Sequence, residues 1–560
     1  MKKKIIALLP FFVLLLIAAK VVFPFTHGGL LRTHDMEFHG ARVANYFLAL
    51  KQGQIPPRWA PNLYYAMGYP VFLFMYPLPY AASTVLFIAG LSIETSINVV
   101  VMLSIFSGVI GMYMLSFIQT RKRWVSILPA AAYVLAPYSL VNMVVRGAFG
   151  ENVFFGLLPW VFVLIHLSRR MSSIIHLPIF TLVLAMLFLS HQLSVMFAIP
   201  IILGYLVLIF PSWKSMHELK TMLGCFLLSL LLVVWFWIPM IYEKKFTDVV
   251  NQSSVVEYWK EFPKVSELLV WSKWGYGGFT PGVENEGFSK MIGIHFVIAL
   301  CGLSIVALKR RSLQQIFWVV LALGSLVLML PFSRIIWQTV PVIQFLQFPW
   351  RFLWIVIFST CFLMIEYFKN HSIQSKMSLI IVPLVVGISY AYIAWTHAAG
   401  TFTKTEFMWF EYPFSASAFE ENLPIWILDH KKGVQDYLTF RNAKNTVPEV
   451  LNLSKDGTKA RYLVKLNEET TIIHKTAYFP GWKAWIDGKE TAIQYEDEEY
   501  RGFVVLYVPA GDHRIDIHWT NDTIDRKIAD GISLAALMLY FLVFVVKPAT
   551  GKLLSRIKKN

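Results

Sequence analysis

Thirteen apolar runs, each 16 residues or longer, recur along this chain, near 5–25, 71–91, 96–118, 124–142, 153–168, 174–190, 194–211, 221–241, 289–308, 314–331, 351–368, 376–396 and 527–547. A helix rises about 1.5 Å per residue, so runs of this length approach or match the roughly 30 Å hydrocarbon core of a bilayer. A water-soluble chain of 560 residues, 56% hydrophobic and 15% charged, has no way to hide that much apolar surface. The chain therefore reads as a polytopic α-helical membrane protein. A formal charge of +16 invites a nucleic-acid partner, but the Lys and Arg sit in short clusters between apolar runs, where cytoplasmic loops carry them. Cys225, Cys301 and Cys361 lie in apolar stretches without ligand spacing, so no disulfide framework is expected. The N-terminal run is longer than an ordinary secretion h-region and no clear cleavage pattern follows. It is expected to be a retained first helix with Lys2, Lys3 and Lys4 inside.

Basic markers then test the topology. TRKR (120–123), SRR (168–170), KRR (309–311) and the terminal RIKKN all fall on the cytoplasmic side only if one early run fails to cross. The run 71–91 is the best candidate, because Pro77 and Pro79 interrupt it and remove backbone donors. It is expected to be interfacial or re-entrant on the outer face. About twelve spans remain, with both termini inside. Loops 26–95, 143–152, 242–288, 332–350 and 397–526 are then outside.

Residues 397–526 change character. Alternation appears in ARYLVKL (460–466) and TTIIHKTAYF (470–479), Asp487-Gly488 forms a turn after WKAWI, and GFVVLYVP precedes Ala510-Gly511 and DHRIDIHW. These patterns predict a small extracytoplasmic antiparallel β domain, a sandwich, over about 445–520. The stretch 397–444 is aromatic and mixed and takes no assignment; Asp429, His430 and Asp436 within it read as solvated. The chain divides into a transmembrane module (1–396, first outer loop 26–95), an outer region (397–526), and a final helix with a basic tail (527–560).

Polar chemistry gathers on the outer side. THDMEFHGARVANYFLALKQG carries Phe38, Val43, Tyr46, Phe47 and Leu50 at helical spacing, which predicts an amphipathic helix on the membrane surface. Asp35 falls at its start, where a carboxylate can cap the helix. His34, Glu37, His39 and Arg42 crowd the same nine positions. RGAFGEN adds Arg146 and Glu151, SHQLS adds His191, and QFLQFPWRF adds Trp350 and Arg351. Each has an ordinary explanation: a surface polar group, an interfacial anchor or a helix-end histidine. Ionisable groups at membrane depth are nevertheless candidates for function, because burying them without a use is costly.

The ordered set HDMEFH, GQIPPRWAPNLYYAMGYPVFLFMYPLPY, RGAFGEN, LSHQLS and QFPWRF, followed by YFPGWKAWIDGKETAI and VPAGDHRIDIHW, resembles the GT-C superfamily of polytopic glycosyltransferases. More closely, it resembles bacterial membrane proteins labelled "6-pyruvoyl-tetrahydropterin synthase-related". The soluble zinc enzyme behind that label needs a metal-binding histidine set, which this sequence does not display. The resemblance implies a GT-C-like fold and transfer of a sugar from a polyprenyl-phosphate donor to a cell-surface polymer on the extracytoplasmic face of the bacterial cell membrane. It makes Asp35 the catalytic base and Glu37 a nearby assisting acid. His34, His39, Arg42, Arg58, Arg146, Glu151, His191, Trp350 and Arg351 are then substrate- or phosphate-binding candidates. It also implies a partner enzyme that makes the polyprenyl-phosphate sugar. For some members of the family a divalent metal such as Mg or Mn is implied, for which Asp35, Glu151 and His191 could supply ligands.

Two other readings compete. A flippase or transporter of lipid-linked sugar predicts mid-membrane charges and pseudo-symmetric broken helices, whereas polar groups here sit at span ends and no repeat is evident. A noncatalytic envelope assembly protein would use the β domain to hold polymer.

Overall fold

The computed structural model describes residues 2–170, 175–209, 211, 215–248, 258–269, 287–371, 387, 397–417, 420, 422–427, 438–444 and 447–546. The expected span 376–396, Asp429, His430, Asp436 and the terminal RIKKN fall wholly or almost wholly outside them.

The chain enters through helix α1 (Lys2–Val22) and a two-residue strand β1 (Leu30–Leu31), then helix α2 (Met36–Lys51). The run 71–91 forms two short helices, α3 (Val71–Phe74) and α4 (Pro77–Ile88). Pro77 opens α4 at its first position, where its missing N–H has no partner to lose. Twelve residues rise only about 18 Å, too little to cross a bilayer. Helices α5 (Ile93–Thr120), α6 (Ile127–Leu135), α7 (Pro137–Val141) and α8 (Phe149–Arg170) follow, with a π-helical turn over Asn142–Arg146. Among the described residues, five helices are long and apolar enough to cross a membrane, or up to eight if three bent pairs each count as one span. The expected span 376–396 lies outside this count. The runs 174–190 and 194–211 yield helices of only 13 and 17 residues, and proline-marked breaks split others.

Helix α2 departs from expectation more sharply. It is not a surface helix: Met36, His39 through Tyr46 and Ala49 are buried. The segment after residue 397 covers it, with strand β2 (Thr401–Phe402) antiparallel to β1 and Trp409 seated on Gly40. A β-carbon on Gly40 would lie 2.4 Å from the Trp409 ring, so glycine makes that closeness possible.

The C-terminal region is an antiparallel β domain of two sheets. Strands β4 (Glu449–Lys455), β5 (Lys459–Leu466), β10 (Gly511–Trp519), β7 (Trp482–Ile486) and β8 (Lys489–Thr491) form one, in the spatial order β4-β5-β10-β7-β8. Strands β3 (Leu438–Arg441), β6 (Thr470–Ala477) and β9 (Phe503–Val508) form the other, in the order β3-β6-β9. Asp487 and Gly488 both adopt positive φ, +52° and +81°, as a tight hairpin turn demands. The connection at Ala510-Gly511 joins β9 to β10 in the other sheet and is therefore a crossing between layers. Ile472, Ile473, Val504, Leu506, Ile515 and Ile517 fill the interior. The loop 52–70 docks this domain onto the helices: Trp59 packs on Trp482 and Trp519, and Ala477 N–H donates to the Met67 carbonyl at 3.1 Å.

Candidate active site

Asp35 occupies the N-cap position of α2, yet its carboxylate accepts no capping hydrogen bond. Thr33 Oγ1 accepts from Met36 N–H instead, at 3.2 Å. The backbone around Asp35 is pinned elsewhere: His34 and Asp35 N–H donate to the carbonyls of Val145 and Arg146 at 3.0 and 3.1 Å. Gly147, with φ +66°, permits this seam, because a β-carbon there would collide with Thr33 Oγ1. The backbone thus fixes the residue and leaves its carboxylate uncommitted. Burial pushes that carboxyl above its ordinary pKa, while Arg146, His34, Arg42 and Arg351 pull it back towards ionisation.

Glu151, in the first turn of α8, is the hub of the neighbouring charges. Arg146 donates to its two oxygens at 3.0 and 3.3 Å, Asn142 Nδ2 at 2.8 Å and the Tyr138 hydroxyl at 3.0 Å. The π turn brings Asn142 and Arg146 together, and Arg146 also donates to the Asn142 side-chain oxygen. Arg351 Nε approaches Glu151 to 3.7 Å without a hydrogen bond, and His191 Nε2 to 3.9 Å. His191 caps the helix Gln192–Leu208 by accepting Ser194 N–H at Nδ1, so its proton sits on Nε2. Burial holds its imidazolium pKa down at about 3 against the pull of Glu151. Arg351 Nη1 donates to the Leu346 carbonyl and to Gln347 Oε1, at 2.9 and 3.0 Å. The Arg146 guanidinium lies 4.7 Å over the Trp350 ring, whose indole N–H donates to Glu261 Oε2 at 3.3 Å.

Of the residues singled out from sequence, Asp35, His34, Arg42, Arg146, Glu151, His191, Trp350 and Arg351 converge here. Three take other places. Arg58 pairs with Asp530 and donates to the Trp235 carbonyl, which anchors the final helix (Ile524–Phe541). These partners take up its guanidinium away from Asp35. Glu37 turns away from Asp35 to an ion pair with Lys404 at 2.6 Å. His39 is buried against Tyr80 and Phe149, and burial lowers its pKa well below the usual histidine value. Sequence reading overlooked Tyr76, between α3 and α4, and Tyr80 of α4, which lie close enough to Asp35 to feel its charge, and also Tyr138, Asn142 and Glu261. Among apolar neighbours, tyrosines look like core residues, and only the fold marks them out.

Among the described residues no three His, Cys, Asp or Glu side chains come close enough to share a metal ion. The Glu151 oxygens face N–H and O–H donors, a setting that suits a guanidinium and does not suit a hard cation. The arrangement matches an anion better: one uncommitted, part-buried carboxylate beside three guanidiniums.

The model of a family described as "6-pyruvoyl-tetrahydropterin synthase related domain; membrane protein" matches residues 72–398. An uncharacterized protein of Lactococcus lactis subsp. cremoris is 30% identical over 138 residues, 24% of this chain and 22% of that protein. Among solved structures, the mycobacterial arabinofuranosyltransferase AftD is similar with a TM-score of 0.43 and 16% identity, over 68% of this chain and 26% of AftD. The oligosaccharyltransferase of Archaeoglobus fulgidus, in the apo form, has a TM-score of 0.41 and 12% identity, over 71% of this chain and 57% of its own. The chain thus spans about a quarter of AftD and about a fifth of the Lactococcus protein. With more than half of its length under the family model, this chain belongs to the 6-pyruvoyl-tetrahydropterin synthase related family of membrane proteins.

Proposed function

We propose that the protein is a membrane glycosyltransferase that moves a sugar from a polyprenyl-phosphate donor to a cell-surface acceptor. The observation that carries this reading is the Asp35 carboxylate, fixed by backbone yet free of cap and ion pair, facing Arg146, Arg351 and Arg42. A general base must keep its lone pairs available, and a leaving phosphate needs guanidiniums already in place. Three guanidiniums, two buried (Arg42, Arg146) and one part-buried (Arg351), against the two carboxylates Asp35 and Glu151 leave one positive charge over, which matches the single charge of a sugar phosphodiester.

In the reaction, Asp35 takes the proton of the acceptor hydroxyl as its oxygen bonds to the anomeric carbon. The bond from that carbon to the phosphate oxygen breaks, and the phosphate leaves with the electron pair. Arg351 and Arg146 stabilise the departing charge, and the sugar inverts. No step is routed through a metal.

Orientation follows from charge. Lys122 Nζ donates to the carbonyls of Phe368 and His371, and Arg310 contacts His371, so the two basic clusters 120–123 and 309–311 meet at the end of the helix Leu353–Asn370. By the positive-inside rule that end faces the cytoplasm and the site faces outward. A cytoplasmic partner that makes the polyprenyl-phosphate sugar is then required.

The test is transfer of label from a panel of polyprenyl-phosphate sugars to a cell-envelope extract by purified protein. Transfer that Asp35→Asn abolishes supports the reading. Full transfer by a folded Asp35→Asn protein, or solute flux that needs no lipid-linked sugar, refutes it.

A further inference from the structure

Arg42 is an expensive residue with no evident partner. It is 5% exposed, no carboxylate lies within salt-bridge distance of it among the described residues, and its Nε has no hydrogen-bond acceptor. Its guanidinium is held by a hydrogen bond from Nη1 to the Tyr80 hydroxyl at 2.9 Å. Taking a guanidinium out of water costs several kcal/mol unless some charge repays it.

Helix geometry shows which charge. Asp35, His39 and Arg42 stand at i, i+4 and i+7, one face of α2, and a long side chain on a helix leans back towards the N-terminus. Arg42 therefore reaches along the helix towards Asp35, and Tyr80 stops it from swinging away. The Tyr80 hydroxyl accepts from Arg42, so its own proton is available to His39 Nδ1, 2.9 Å distant. Burial disfavours the His39 imidazolium, so the imidazole adds no charge of its own. The pair α3 and α4 thus acts as a brace that aims a cation along α2.

We propose that Arg42, braced by Tyr80, is a positioning residue that keeps Asp35 ionised as the base of the transfer reaction without touching substrate. This role presupposes the sugar-transfer reading. The groups facing Asp35 are His34 on its own segment, Arg42 on α2, Tyr76 between α3 and α4, Tyr80 of α4, Arg146 from the π turn and Arg351 from the outer loop. Arg146 and Arg351 are partly neutralised by Glu151, whereas Arg42 is not. Its full charge is free to act on Asp35.

The experiment reads Asp35 directly, without a sugar donor. A hydrophobic carbodiimide labels a buried carboxyl only while it is protonated, so labelling of Asp35 in the full-length protein, located by peptide fragmentation, is followed against pH. Arg42 favours the charged carboxylate, so Arg42→Gln must raise the labelling midpoint, by about one pH unit for a screened charge at this range. Arg42→Lys should shift it less, and Tyr80→Phe, which keeps the charge but frees it to move, should shift it in the same direction by a smaller amount. A folded Arg42→Gln protein with an unmoved midpoint overturns the proposal, as does a lysine variant that shifts as far as glutamine. If Arg42→Gln does not fold, an unmoved midpoint in Tyr80→Phe does the same. A normal labelling shift in a protein that transfers no sugar would sink the transfer reading alone.

Discussion

Arg146 grips Glu151 with two nitrogens, Nη1 to Oε2 at 3.0 Å and Nη2 to Oε1 at 3.3 Å, and both side chains are almost wholly buried. A buried ion pair of this kind contributes little when compared with apolar packing, but removing one partner strands the other charge. Glu151→Gln would leave Arg146 and Arg351 facing each other with no anion between them. The expected loss is about 3–5 kcal/mol, read as a large fall in thermal midpoint in detergent. A shift of a degree or less would mean that the hub is solvated or rearranged.

Asp35 and Thr33 separate structure from chemistry. Thr33 holds the helix cap, so Thr33→Ala is expected to lose about 1 kcal/mol of stability. Asp35→Asn removes no cap but leaves Arg42 without its compensating charge, so a moderate loss in thermal midpoint is expected, while transfer per folded protein falls by about 10²-fold or more. The opposite pattern, an unstable Asp35→Asn with transfer in proportion to folded protein, would make Asp35 a structural residue.

Tyr64, Tyr65 and Ala66 have φ of +58°, +55° and +57°, three consecutive left-handed residues without glycine. Each such residue carries about 1–2 kcal/mol of steric cost. Tyr65 is part-exposed and touches Phe414, so comparing two truncations cancels its packing. Tyr65→Gly is expected to be about 1 kcal/mol more stable than Tyr65→Ala. Equal midpoints would mean that the turn relaxes in solution.

Much of the architecture was legible because it depends on local pattern. Apolar runs mark the helices, and alternation in 460–466 and 470–479 lands on β5 and β6. What the pattern hides is pairing at long range. Arg58 looked like Arg351, a guanidinium beside aromatics, until Asp530, 472 positions on, claimed it. Helix α2 has the face of a surface helix, and it is buried by α4, by Phe149 and by Trp409, far along the chain. Asn142 and Arg146 form one unit because the turn between them is π-helical, a local deviation that periodicity does not reveal.

The β domain should be acid-sensitive through Asp497. Its carboxyl is buried, which alone would raise its pKa. The Arg441 guanidinium and the N–H groups of Glu499 and Tyr500 outweigh that and hold it below 3.8. A depressed native pKa supplies stability above the unfolded value and loses it as pH falls through the native one. Tryptophan fluorescence should therefore report loosening of this domain as pH falls below about 4, and Asp497→Asn should flatten that dependence. An identical acid profile in the variant would assign the effect to other carboxylates.

Arg526 joins three parts of the molecule. From the final helix it donates to both oxygens of Glu243 at 2.7 Å, to the Pro480 carbonyl at 2.7 Å and to the Thr520 carbonyl at 3.2 Å. Its guanidinium also lies 4.8 Å over the Trp519 ring. Lysine carries the same charge, but a point ammonium cannot span a carboxylate and two carbonyls set in different directions. Arg526→Lys should therefore destabilise by about 2–3 kcal/mol, nearly as much as removing the charge, because acceptors are left without donors. The loss should be local. Limited proteolysis is expected to cut first in the loops that join the β domain to the helices, around residues 478–481 and 520–523, before the helical bundle melts. If Arg526→Lys resists protease as the parent does, charge alone fastens the final helix, and the planar fork of the guanidinium is not required.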